Sequence, residues 1–197
     1  PIANVLHSYT AEHNSGDTET LRLAMEWVSE HYPSSSYGLI FWSHGDAWLP
    51  AKAPIQRSIC LDNGRNNYSF SGTKMDIDAV AEVLAGFPRL EFIMFDACFM
   101  QGVEVAYALR NAVQWVIGSP AEIPGDGAPY DTVIGEFFAS DGVKGIIDSY
   151  KAAYEGGEMG VVLSAAYMPA MQRLADATYS NICTYFNTSK KREYIDV

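Results

Sequence analysis

The chain has 197 residues, 48% of them hydrophobic, enough for one large domain with a sizeable core. Its 13 basic and 24 acidic residues leave a formal charge of −11, which would repel phosphate backbones and excludes nucleic acid as an expected partner. No apolar run approaches the ~20 residues needed to span a bilayer, and three cysteines, Cys60, Cys98 and Cys183, cannot all pair and match no zinc spacing.

Pro1 stands where an initiator methionine would, and the final eight residues carry no capping signal, so further sequence is expected on both sides. Residues 2–9 read as a strand and residues 14–17 as a loop. A helix is predicted over residues 18–31, capped by Asp17 or Thr18, with Leu21, Met25 and Val28 on one face. An apolar strand follows at residues 38–43. Residues 46–74 are irregular and rich in Pro, Gly, Asn and Ser; they read as a long surface excursion, with a hairpin pairing residues 58–61 with 68–70. A helix over residues 77–86 is capped by Asp76 and stopped by Gly86 and Pro88. Then come a strand at 91–96, a helix at 100–112, a strand at 114–118 and a loop at 119–127. Helices at 130–138, 142–155 and 169–186 complete the chain, with a strand at 160–164 between the last two. This alternation predicts an α/β fold, a three-layer α/β/α sandwich with a mainly parallel sheet, forming a single domain over residues 1–197.

Two strand ends carry the chemistry. Residues 38–45 read Gly-Leu-Ile-Phe-Trp-Ser-His-Gly, and residues 91–98 read Glu-Phe-Ile-Met-Phe-Asp-Ala-Cys. In a parallel sheet the carboxyl ends of neighbouring strands share one edge, where sites form. His44 and Cys98 can therefore meet there as an imidazole and a thiol, the minimum for nucleophilic catalysis by cysteine. Taken singly, each has a blander reading: Cys98 as a buried inert thiol, His44 as a satisfied core residue or a metal ligand. A helix beginning one to three residues after Cys98 would favour its thiolate. Gly45 leaves its backbone N–H open to a substrate carbonyl oxygen, the role of an oxyanion donor. Ser43 points to the other strand face and reads as structural. Asp96, two residues before Cys98, shares a strand face with it; Asp126, in Gly-Asp-Gly, suits a turn by itself.

These residues together resemble the clostripain family of cysteine peptidases, which share a caspase-like fold. The likeness rests on residues 37–45, on 95–100 (Phe-Asp-Ala-Cys-Phe-Met), on 119–127 (Ser-Pro-Ala-Glu-Ile-Pro-Gly-Asp-Gly) and on 14–21 (Asn-Ser-Gly-Asp-Thr-Glu-Thr-Leu). The resemblance implies a caspase-like peptidase domain in which Cys98 attacks the scissile carbonyl and His44 serves as acid and base. It implies backbone N–H groups of Gly45 and Cys98 as oxyanion donors, and Asp96 and Asp126 lining a pocket for Arg or Lys. The expected partner is thus a peptide or protein with Arg or Lys at the cleaved bond. Self-cleavage between the His and Cys strands is also implied; that interval holds Lys52, Arg57, Arg65 and Lys74, of which Lys52 and Arg57 lie closest to the interval the family uses. Some members need calcium, but no EF-hand-like loop is present and no metal or cofactor site is expected. The family points to secretion or a bacterial cell envelope. The principal alternative is a non-catalytic caspase-fold module that binds a basic partner; a flavodoxin-like domain would need a Gly-rich phosphate loop that this chain lacks. Oligomeric state is not legible.

Overall fold

The structure, a computed structural model, describes residues 5–9, 13–47, 59–63, 73–158 and 160–189. In chain order these form α1 (Thr18–His31), β1 (Gly38–Trp42), β2 (Ile59–Asp62), β3 (Thr73–Met75), α2 (Ile77–Leu84), β4 (Leu90–Asp96), α3 (Val103–Leu109), β5 (Val113–Gly118), α4 (Tyr130–Val133), α5 (Gly142–Tyr154), β6 (Ser164–Tyr167) and α6 (Met171–Ser189).

Every residue of β4 but Glu91 is buried, as a strand covered on both faces requires. Its side chains alternate between two cores. Ile93 and Phe95 point into one with Phe41 of β1 and Val116 of β5, beneath Val80 and Leu84 of α2 and Val105 and Leu109 of α3. Phe92 and Met94 point into the other with Ile117, Val133 of α4, and Ile146 and Tyr150 of α5. This is the expected α/β/α layering. The sheet order is β1-β4-β5-β6, and β1, β4 and β5 run parallel. The register pairs Trp42 with Asp96, so the last residues of β1 and β4 lie side by side.

Several elements differ from the sequence expectation. Residues 5–9 form no strand. They are exposed, and His7 contacts α1, where the Trp27 indole stacks with His7 (4.8 Å) and with His31 (4.6 Å). The strand expected at 160–164 starts at Ser164 instead and runs antiparallel to β5, pairing Gly118 with Ser164 and Trp115 with Tyr167. The apolar residues before it serve another purpose: Val161 and Leu163 pack on the α5 core while Val162 faces solvent. Strand propensity there reports packing rather than ladder position. The helix expected at 100–112 is confined to Val103–Leu109. Phe99 has a left-handed backbone (φ 62°), which a right-handed helix cannot include, and the N–H groups of Phe99 and Gln101 hold this stretch to the carbonyls of Ala121 (3.0 Å) and Ser119 (3.1 Å). The helix expected at 130–138 breaks after Val133 and resumes as a short 3-10 turn at Glu136–Phe138.

The excursion contains the expected hairpin, but its second arm is Thr73–Met75; residues 68–70 lie outside the described residues. An isolated bridge joins Gly45 to Ile59, so this hairpin is attached to the end of the His44 strand.

Candidate active site

His44 and Cys98 each lie two residues beyond their strand, after Trp42 and Asp96 respectively. The four line one cleft of about 370 Å³, together with Ser43, Ile123, Pro124, Gly125 and Gly127. His44 is exposed and Cys98 half-buried, so both are reachable. The Ile123 N–H donates to the Cys98 sulfur at 3.4 Å, which ties the thiol to the loop after β5. Cys98 does not sit at a helix N-terminus as expected. The first helical residue is Val103, and the dipole effect fades within one turn.

Gly45 is buried against the Cys98 backbone. A Cβ there would stand 2.4 Å from the Cys98 carbonyl oxygen and 2.9 Å from the Ala97 Cβ. Glycine is thus required by close approach of the two strand ends. Ser43 is structural, as expected: its hydroxyl accepts the Leu61 N–H at 3.2 Å.

Asp96 is 1% exposed and held on the α5 side. Its Oδ2 accepts from the Ala128 N–H (2.8 Å) and the Tyr130 hydroxyl (2.9 Å), and its Oδ1 from the Tyr150 hydroxyl (3.0 Å). A carboxylate offers roughly four acceptor positions, so one remains on Oδ1. Burial, then the Asp96 charge and hydrogen bond, push both phenols well above the usual tyrosine range, and they stay protonated donors. Gly127 adopts φ +70°, and a Cβ on it would lie 2.6 Å from Asp96 Oδ2 and 3.0 Å from the Trp42 indole nitrogen. The Tyr154 hydroxyl pins its carbonyl at 2.6 Å. Asp126 is exposed and does not line the cleft itself, although Gly125 and Gly127 on either side of it do.

Of the basic residues in the excursion, Lys74 does not lie on an exposed loop. It belongs to β3, its side chain is 6% exposed, and it is paired with Asp46 at 2.5 Å. Lys52, Arg57 and Arg65 lie outside the described residues. Cys60 is also removed from the chemistry: burial pushes its thiol up to about 12. Among the described residues no group of three or more His, Cys, Asp or Glu is arranged to hold a metal.

Sequence reasoning located His44, Gly45, Asp96 and Cys98 at one edge, but missed Trp42, Ile123 and the three tyrosines. Tyr150 and Tyr154 stand four apart on α5, one helix face; amphipathic reading of that face with its hydroxyls in mind could have found them. The Ile123 N–H has no signal in a side-chain pattern.

The architecture is that of caspase-like α/β domains, with the site at the carboxyl edge of the parallel strands. The description of the Clostripain family matches residues 2–192, and the chain belongs to that family. It is 26% identical over 137 residues to clostripain of Hathewaya histolytica, an overlap of 66% of this chain and 26% of that protein. It is similar to the structure of a secreted C11 cysteine protease from Bacteroides thetaiotaomicron in complex with an irreversible peptide inhibitor, with TM-score 0.75 and 37% identity over 84% of this chain and 49% of that one. An inactive zymogen C11 protease from Parabacteroides distasonis gives TM-score 0.70 and 35% identity over 87% of this chain and 45% of that one. The chain therefore spans under half the length of these solved relatives and about a quarter of clostripain.

Proposed function

We propose that the protein is a cysteine endopeptidase that cleaves after Arg or Lys with Cys98 as nucleophile and His44 as acid and base. The observation that carries this reading is the convergence of an exposed imidazole and a reachable thiol in one cleft, with the buried Asp96 carboxylate at its base. In the first step the Cys98 thiol passes its proton to His44 as the sulfur bonds to the scissile carbonyl carbon, the carbonyl π electrons move to oxygen, and the oxyanion is held by the N–H groups of Gly45 and Cys98. The C–N bond breaks as His44 gives its proton to the leaving amine. Water then attacks the thioester with His44 as base, releasing the acid and the Cys98 thiol. A cationic side chain on the acyl side of the bond reaches toward Asp96, with Asp126 adding negative charge at the rim.

The test is hydrolysis of fluorogenic peptides ending in Arg, Lys, Asp or Leu. Turnover after Arg and Lys alone, absent in Cys98→Ala and lowered about 100-fold or more in His44→Ala, is expected for a nucleophile with its acid–base partner. Cleavage after Asp or Leu would refute the pocket, and turnover surviving in Cys98→Ala would refute the nucleophile.

The same specificity supports activation by self-cleavage between β1 and β4, with Lys52 and Arg57 as the sites. One solved relative is described as an inactive zymogen. Intact mass after incubation should show a cut in the wild type and none in Cys98→Ala; a cut at the same bond in both would assign it to another protease. Likeness to a secreted relative further supports an exported protein.

A further inference from the structure

We propose that Trp42 is a specificity-determining residue whose indole forms the wall of the pocket over Asp96 and selects a guanidinium over an ammonium; this rests on reading the cleft as a cysteine-peptidase site. Trp42 is 70% exposed, an unusual state for the largest apolar side chain and one that nothing in the core explains. It sits on the Ile40 face of β1, since residues two apart on a strand share a face, and Ile40 packs into the α5 core. It is the direct ladder partner of Asp96. The two are therefore neighbours on the face that carries Tyr150 below and opens into the cleft above.

Gly127 shows how the two relate. A single carbon added to it would touch both the Asp96 carboxylate and the indole nitrogen, so the indole edge and the carboxylate flank the same point of the loop. The glycine keeps that point open. A side chain entering past Cys98 toward Asp96 must pass along the indole. One acceptor position is left on Asp96, so the carboxylate cannot by itself form a two-pronged grip on a guanidinium. The remaining recognition falls to the indole that flanks the carboxylate. A planar, weakly hydrated guanidinium stacks on an aromatic ring better than a strongly hydrated ammonium does. Arg is accordingly preferred to Lys, and the preference resides in Trp42 rather than in Asp96.

The experiment measures binding in the intact protein carrying Cys98→Ala, so that turnover is not needed. Peptides ending in Arg, Lys, citrulline and Leu are titrated calorimetrically with Trp42 intact, with Trp42→Phe and with Trp42→Leu. With Trp42 intact the Arg peptide should bind tightest. Trp42→Leu should weaken Arg by about 2- to 5-fold, the scale of one solvent-exposed cation–π contact, weaken Lys less, and bring the two together. Trp42→Phe should keep most of the difference. An Arg-over-Lys ratio unchanged in Trp42→Leu, with Arg still favoured over Leu, would overturn the proposal and leave the peptidase reading standing. No preference for Arg or Lys over Leu with Trp42 intact would overturn the pocket reading and this proposal together. A second measurement needs no Trp42 variant: oxidation of Trp42 by N-bromosuccinimide, mapped by mass, should be slowed by the Arg peptide and not by the Leu peptide. Equal oxidation with both would also overturn it.

Discussion

Asp96 is gripped by groups distant in sequence, Tyr130 and Tyr150 lying 34 and 54 residues further on. A buried carboxylate satisfied by hydroxyl and amide donors is costly to leave short of one, so Tyr150→Phe should lower stability by about 1.5–3 kcal/mol, read as a shift of the denaturant midpoint at unchanged slope. No shift would mean the bond is not made in solution. Gly45→Ala acts differently. The new Cβ meets a backbone oxygen that cannot swing aside, so the two strand ends must part. A displacement of that kind is expected to cost about 100-fold in kcat/KM, and an Ala variant of full activity would contradict the packing of Gly45 on Cys98. The thiols separate by environment as well. Iodoacetamide at neutral pH should modify Cys98 and spare Cys60, whose burial keeps it protonated; preferential labelling of Cys60 would contradict its placement. At this scale the legible part was spacing. Asp96 stands two before Cys98, which marks a shared face, whereas the tyrosines needed the tertiary fold to bring them in.

Elements bounded by local chemistry were read well, and elements bounded by distant contacts were not. The start of α1 follows from Asp17, whose side chain accepts the Glu19 N–H at 3.0 Å, a cap visible in the sequence. The late start of α3 follows from bonds to the 119–121 loop, and the position of β6 from its pairing with β5, neither of which is local. The hairpin β2–β3 is the element that supports the His44 end. Its Asp62 accepts from the Ser15 N–H (2.7 Å) and hydroxyl (3.0 Å), and Asn14 donates to Thr73 (2.9 Å). Lys74 joins the hairpin to Asp46, next to Gly45. Lys74→Met should therefore speed hydrogen exchange at residues 44–47 and 59–62 while leaving β4 protected, and should lower kcat more than it raises KM. Exchange accelerated equally in β4 would mean global destabilisation instead of local release.

At the scale of the whole molecule, three of the acids whose titration burial moves upward share a pH response. The Cys60 thiol and the Tyr130 and Tyr150 phenols are held neutral in the folded chain, with their titration moved upward. Their stabilisation is complete below the unfolded values of about 8.5 for the thiol and about 10 for the phenols. It is lost as pH rises, because the unfolded chain releases protons that the native one retains. The apparent melting temperature should fall steadily above about pH 9, and Cys60→Ala should flatten the first part of that fall; an unchanged slope would show that Cys60 is not shielded. Fold class and the location of the site were legible at this scale because strand–helix alternation and two apolar runs ending in His44 and Cys98 leave few topologies. The direction of β6 was not, since no residue in 160–167 distinguishes a parallel from an antiparallel partner.

The central claim is that Cys98 is the nucleophile of a site that recognises a cationic side chain. It is tested most directly by treating the intact protein with an irreversible peptide reagent ending in arginine, and with its leucine counterpart, and mapping the adduct by mass. One adduct per chain, on Cys98, formed quickly with the arginine reagent and slowly with the leucine one, is the predicted result. An adduct on Cys60 or Cys183, or equal rates with both reagents, would contradict it.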